Sequence, residues 1–252
     1  MGGGLKRGLK AAADMILPRR CVVCGRRLNT CESHLCLHCM ADIPFTYFWK
    51  QKHNVMADRF NAVIQSGLED LWGMGEQRSE GYAYAIALFL YDRDADYRHI
   101  PHQIKYHGNM RMGRHFGRML GRRIKEAPWM GDVDVVVPVP LHWRRKWSRG
   151  YNQAEVLAEE VAAELNVPVC TGILRRVRHT GTQTKLDFEG KAVNVAGAFA
   201  ASSTDTGGMK HILIVDDVFT SGSTLHACLL ALRNVFPTDI RISIATLCFA
   251  GG

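Results

Sequence analysis

Two adjacent carboxylates, Asp216 and Asp217, follow an apolar run in HILIVDDVFTSGSTL, residues 211–225. Like charges side by side repel one another, so such a pair is best placed where a ligand needs it. The run from Ile212 to Val215 reads as a buried parallel strand. That puts the two acids at its carboxyl end, where open α/β sheets bind ligands. The loop beyond offers the hydroxyls of Thr220, Ser221, Ser223 and Thr224, and Gly222 lets the backbone approach closely. It opens a helix whose first amides point outward with a favourable dipole. Hydroxyls and amides suit a phosphate monoester, and the carboxylates suit vicinal hydroxyls. Phosphate and diol together describe ribose 5-phosphate. The competing reading is that the acids simply cap a helix after a buried strand. The loop has no lysine and lacks the G-x-x-x-x-G-K-[ST] frame, which argues against a nucleotide-hydrolysing P-loop.

A second constellation lies near the N-terminus, in CVVCGRRLNTCESHLCLHCMADIP. Two Cys-x-x-Cys knuckles, Cys21/Cys24 and Cys36/Cys39, flank an eleven-residue spacer. Each places two thiolates on one side of a tight turn, and two knuckles close a tetrahedral sulfur shell of the kind Zn²⁺ takes. Four protein ligands leave no open position, so the metal is expected to be structural. A segment this short has no core of its own and would draw its stability from the metal. Cys31, His34 and His38 are weaker substitutes because they break the paired geometry. The remaining thiols, Cys170, Cys228 and Cys248, sit in apolar surroundings and read as small buried residues.

A third stretch, VPVPLHWRRKWSRGYNQAEVLA, crowds cations around Trp143 and Trp147. Arginine forks suit a doubly charged phosphate group. The same mixture of cations and exposed rings also suits single-stranded nucleic acid.

The elements that must position these groups alternate between strand and helix from Gly81 onward. AYAIALFLY, DVDVVVPVP, VPVCTGILRRV, HILIVDDV and DIRISIATLCFA read as strands. Residues 94–108, 111–127, 152–166 and 223–236 read as helices. This alternation predicts an α/β fold, a parallel sheet flanked by helices, with a small N-terminal zinc-ribbon module. Three regions are expected: residues 1–44 as an N-terminal helix and zinc ribbon, 45–80 as a packed connector rich in aromatics, and 81–252 as the main domain. The N-terminal helix rests on Leu5, Leu9, Ala12, Ala13 and Ile16 at amphipathic spacing. Among 252 residues, 32 basic against 24 acidic side chains give a net charge of +8, which favours anionic partners. No apolar run reaches the roughly 20 residues of a membrane-spanning helix. The cysteine cluster, without an export signal, points to a reducing cytoplasm.

ILIVDDVFTSGST resembles the phosphoribosyl-pyrophosphate signature of type I phosphoribosyltransferases, with Ser221 where threonine is commoner. The cysteine ribbon, KYHGN, RGYNQA, TQTKL and that signature together resemble the ComF family over nearly the whole chain from Cys21. The resemblance implies the type I phosphoribosyltransferase fold, with phosphoribosyl pyrophosphate bound together with Mg²⁺ and phosphoribosyl transferred to an acceptor that no motif identifies. It implies catalytic roles for Asp216 and Asp217, and a phosphate loop over residues 220–224. It implies a pyrophosphate loop around Val139 and Pro140, with Arg145, Arg149 and Gln153 beyond. It also implies a hood over 178–199, with Arg178, Gln183 and Lys185 contacting substrate. Lys191 stands where relatives often carry arginine. Lys105 and Tyr106 match a family motif whose chemistry the residues themselves do not disclose. Proteins of this family are associated with DNA uptake, so single-stranded DNA and DNA-processing proteins are expected partners. The alternative is a non-catalytic sugar-phosphate sensor or DNA-binding adaptor.

Overall fold

The computed structural model describes residues 18–72, 80–143, 147, 149–177, 197–202 and 208–251. The expected N-terminal helix around Leu5 to Ile16 lies outside them, as do Arg145, Arg178, Gln183, Lys185 and Lys191.

The central sheet has four strands: β1 (Ala85–Leu90), β2 (Val135–Pro138), β5 (His211–Phe219) and β6 (Arg241–Phe249). Their order is β1–β6–β5–β2, and every pairing is parallel. Both faces are covered, which explains why these strands are continuous apolar runs rather than alternating ones. The period of two still sorts side chains to opposite layers. Ile212 and Ile214 point into one layer, with Phe60, Ile64, Leu225 and Leu229. Leu213 and Val215 point into the other, with Phe116, Leu120, Leu157 and Val161.

The first layer is built by α2 (Val55–Trp72) and α6 (Ser223–Arg233), and the second by α4 (Met110–Lys125) and α5 (Gln153–Leu165). Helix α4 approaches α5 closely because Gly113, Gly117 and Gly121 fall on one face at four-residue spacing. A Cβ on these glycines would come within 2.9–3.0 Å of Val156, Glu160 and Glu164 respectively. The arginines on α4 do not form a free basic stripe: Arg118 reaches Glu160 at 3.1 Å and Arg122 reaches Glu164 at 3.1 Å.

Within the expected connector, residues 55–72 form helix α2, which its aromatic content does not announce. Its apolar residues Met56, Phe60, Ile64 and Leu68 recur every four positions and are buried. The aromatics before it pack as expected, with Trp49 and Phe48 both buried. VPVCTGILRRV is not one strand. Val169 makes an isolated bridge to Val136, and only β3 (Leu174–Arg176) follows. β3 pairs antiparallel with β4 (Phe199–Ala201), placing Arg176 opposite Phe199. The two ends of the expected hood are therefore held together by a two-stranded ribbon.

At the N-terminus, a bridge between Arg20 and Arg27 and the short helix α1 (Leu37–Ala41) frame the cysteine segment. Its buried Leu28, Leu35 and Ile43 belong to the same apolar cluster as Ile86 and Phe116 of the main body. Tyr97 donates from its hydroxyl to the Cys39 carbonyl at 3.2 Å, a further tie between the two.

Candidate functional site

β2 stops pairing at Pro138, opposite Val215, whereas β5 continues beside β6 as far as Phe219. Beyond Val215 one side of β5 has lost its neighbour, and a cleft of about 640 Å³ opens there. Asp216 and Asp217 lie in this overhang. They are within the strand rather than beyond its end, because the pairing with β6 carries β5 past them. Strand alternation then sends their side chains to opposite faces of the sheet.

That difference gives the two acids different surroundings. Asp216 accepts a hydrogen bond from the Asp217 amide at 2.8 Å, and burial, reinforced by the Asp217 charge, pushes its carboxyl well above the usual range. Asp217 faces Lys105, with Lys105 Nζ 3.5 Å from Asp217 Oδ2. That distance is too long for a hydrogen bond, so the contact is electrostatic, and Oδ2 is a buried oxygen without a hydrogen-bond partner. The Asp217 charge in turn raises the Lys105 pKa above its ordinary value against the opposing effect of burial. A buried carboxylate oxygen without a hydrogen-bond partner, on a residue that lines a cleft, fits a hydroxyl donor or a divalent cation.

RGYNQ builds the wall facing the acids. Gly150 takes φ of 77°, a turn that L side chains resist. Tyr151 then donates from its hydroxyl to the Ile104 carbonyl, tying this loop to α3 (His99–Tyr106). Asn152 caps α5 by accepting from the Ala154 amide at 3.1 Å, and donates to the Val139 carbonyl at 3.0 Å. One asparagine thus locks the expected pyrophosphate loop to the start of the next helix. Arg149 donates to Gln153 Oε1 at 3.2 Å and lies over the Tyr106 ring.

Of the residues singled out in the sequence, Val139, Pro140, Arg149, Gln153, Asp216, Asp217, Thr220 and Thr224 line this one cleft. Ser221, Gly222 and Ser223 lie between the two lining threonines but not on the cleft wall. The two serine hydroxyls bond each other at 2.6 Å. Gly222 has φ of 79° and begins α6 without a side-chain cap. A Cβ there would meet Phe219 at 3.0 Å. Arg145, Arg178, Gln183 and Lys185 lie outside the described residues.

The cleft also uses residues that the sequence reading passed over: Tyr91, Arg93, Arg98, His99, His102 and Arg176. The signal was available in RHIPHQIKY, where Arg98, His102 and Lys105 recur at helical spacing and share a face.

The four knuckle cysteines converge as well. The Sγ atoms of Cys21, Cys24, Cys36 and Cys39 all lie within 4.8 Å of one another, and those of Cys24 and Cys36 are 3.7 Å apart. Zn–S bonds of about 2.3 Å place tetrahedral sulfurs about 3.8 Å apart, so the shell fits this metal. Glu32 organises the spacer, accepting from the Asn29 and Leu37 amides at 2.7 Å each. The substitutes are engaged elsewhere: His38 pairs with Asp42 at 2.8 Å, and His34 packs against the His115 ring.

Residues 151–252 match the phosphoribosyl transferase domain family. The matched stretch contains Asp216, Asp217 and the 220–224 loop. The fold of the chain is a parallel sheet with flanking helices, joined to an N-terminal four-cysteine cluster compatible with a zinc ribbon. The chain is 31% identical over 144 residues to competence protein F of Haemophilus influenzae, covering 56% of this chain and 63% of that one. It is 33% identical over 139 residues to the DNA utilization protein YhgH of Salmonella typhi, covering 54% and 60%. The Escherichia coli K12 protein of that name is 32% identical over 137 residues, covering 53% and 60%. The chain thus spans about three-fifths of the length of these relatives. They bear out the resemblance to the ComF family. Among solved structures, the glutamine phosphoribosylpyrophosphate amidotransferase of B. subtilis aligns with a TM-score of 0.36 and 16% identity, covering 67% of this chain and 33% of that one. No helix among the described residues is long and apolar enough to cross a membrane.

Proposed function

We propose that the cleft binds phosphoribosyl pyrophosphate with Mg²⁺ and transfers the phosphoribosyl group to an acceptor, in a process linked to DNA uptake. The observation that carries this reading is the overhang of β5. It sets Asp217, whose buried Oδ2 has no hydrogen-bond partner, in the same cleft as Thr220 and Thr224. The ribose hydroxyls donate to Asp217, and the 5-phosphate lies against the threonines and the uncapped start of α6. Arg149, steadied by Gln153 and Tyr106, meets the pyrophosphate. Mg²⁺ supplies charge neutralisation to the leaving pyrophosphate. As the C1–O bond to pyrophosphate breaks, positive charge builds on the sugar, and the Asp217 carboxylate stabilises it. Lys105 stands beside that carboxylate and adds positive potential to the cleft before the ligand arrives. Zn²⁺ in the four-cysteine shell is structural. The association with DNA uptake rests on the printed names of the relatives, competence protein F and DNA utilization protein YhgH.

The test is calorimetric titration of the zinc-loaded protein with phosphoribosyl pyrophosphate and Mg²⁺, followed by assay of released pyrophosphate with and without single-stranded DNA. Saturable binding with turnover supports the transferase. Binding without turnover in either condition favours a sugar-phosphate sensor, and no binding removes the proposal. A single-stranded DNA adaptor role has one specific support: Trp143 and Trp147 are 61% and 88% exposed beside the basic run, as base-stacking residues would be. Its mark is DNA binding that weakens steeply with salt.

A further inference from the structure

The cleft is longer than a sugar phosphate needs, and two independent rulers show by how much. Strand order places β1 two positions from β5, so the Tyr91 end lies about 10 Å from the acid pair at ~4.8 Å per strand. Helix α3 crosses the same gap. Arg98 precedes Lys105 by seven residues, about 10 Å along the axis at ~1.5 Å per residue. Lys105 is fixed over Asp217, so Arg98 and His99 lie at the far end with Tyr91 and Arg93. Among the described residues lining the cleft, the only carboxylates are Asp216 and Asp217, and both are at the sugar end. The wall of the far end therefore offers two guanidinium groups, an imidazole and a phenol ring, while Asp92, Asp94 and Asp96 of the same turn are exposed and lie off that wall. Arg98 and Arg93 are drawn together by a hydrogen bond from the Arg98 guanidinium to the Arg93 carbonyl, which orients one fork.

We infer that this β1 end is the acceptor subsite and that it selects a planar acceptor carrying its own negative charge. The ring packs on Tyr91, and a carboxylate or phosphate is held by Arg93 and Arg98. A neutral base would gain the stacking but no ion pair with the two guanidinium groups on the wall. This inference rests on the sugar-phosphate reading of the Asp217 end and adds the substrate class.

The experiment is calorimetry on the full zinc-loaded chain, saturated with ribose 5-phosphate in the presence of Mg²⁺. Two pairs of probes are titrated: orotate against uracil, and AMP against adenosine. The expected result is that at least one charged member binds ten or more times tighter than its neutral partner. Preference within the orotate pair identifies a carboxylate, and within the AMP pair a phosphate. In the double variant Arg93→Gln/Arg98→Gln that preference should fall at least tenfold more than ribose 5-phosphate affinity does. Equal affinity of charged and neutral probes, or no binding of any probe beside bound ribose 5-phosphate, overturns the inference. So does an equal loss of sugar-phosphate and probe binding in the double variant, which would place these arginines at the donor. Failure of ribose 5-phosphate itself to bind would instead count against the donor reading.

Discussion

Lys105 Nζ lies 3.5 Å from Asp217 Oδ2, joining the last turn of α3 to the overhanging end of β5. The lysine side chain is only 33% exposed and that of Asp217 only 7%, so water does little to screen this charge pair. It sets an ammonium group beside a buried carboxylate in the cleft, and adds positive potential for an anionic ligand. Lys105→Met is expected to raise the dissociation constant for ribose 5-phosphate about tenfold, equivalent to roughly 1.4 kcal/mol. Lys105→Arg should recover most of that loss. Equal binding by Lys105→Met and the unaltered protein in calorimetry would show that the lysine only fills space.

The zinc site should be essential to the N-terminal segment and felt by the rest. Cys36→Ser removes one of the four converging thiolates and also the α1 cap, whose sulfur accepts from the Cys39 amide at 3.5 Å. Metal content measured by emission spectroscopy should fall well below one zinc per chain. The melting temperature should fall too, because the buried cysteines share an apolar cluster with Phe116 and Ile86. Cys31→Ser, at an exposed thiol outside the shell, should keep stoichiometric zinc.

Acid should destabilise the fold through His211. Its ring is fully buried, with Nδ1 2.9 Å from Asp132 Oδ1 and Nε2 2.8 Å from Ser243 Oγ. An ionised carboxylate only accepts, so Nδ1 carries the proton and the serine hydroxyl donates to Nε2. The neutral ring is thereby satisfied, and burial lowers its pKa to about 4 against the partial opposition of Asp134. The unfolded chain titrates near 6.5, so between about pH 6.5 and 4 it binds more protons than the folded one. Stability is full above pH 6.5 and is lost as pH falls toward 4, by up to about 3 kcal/mol from this group. Denaturant melts across that window should show the slope, and His211→Asn should flatten it even if stability at neutral pH is reduced.

The elements that carry chemistry were the most legible in the sequence. Buried strands covered on both faces announce themselves as apolar runs, so β2, β5 and β6 were visible in VVVP, ILIV and ISIATL, and the paired knuckles announced a closed four-sulfur shell. Helix α2 was hidden because the aromatics Phe45, Tyr47, Phe48 and Phe60 blur the four-residue spacing of Met56, Phe60, Ile64 and Leu68. The depth of the acids in β5 was also hidden. It depends on β2 ending four residues earlier than β5, a relation between strands distant in sequence. The role of Lys105 needed the same long-range information. Tyr151 brings it about by anchoring α3 through the Ile104 carbonyl, and nothing local to KYHGN reports that contact.

The two acids should not behave alike, and that asymmetry tests the account most directly. Asp216 is turned toward the α6 layer, and burial favours its neutral form. Asp217 lines the cleft and has a buried oxygen without a hydrogen-bond partner. Calorimetric titration with phosphoribosyl pyrophosphate and Mg²⁺ should give saturable binding to the unaltered protein. Asp217→Asn should weaken it by at least tenfold, and Asp216→Asn by clearly less. Undiminished binding by Asp217→Asn would contradict the assignment of this cleft to the sugar phosphate.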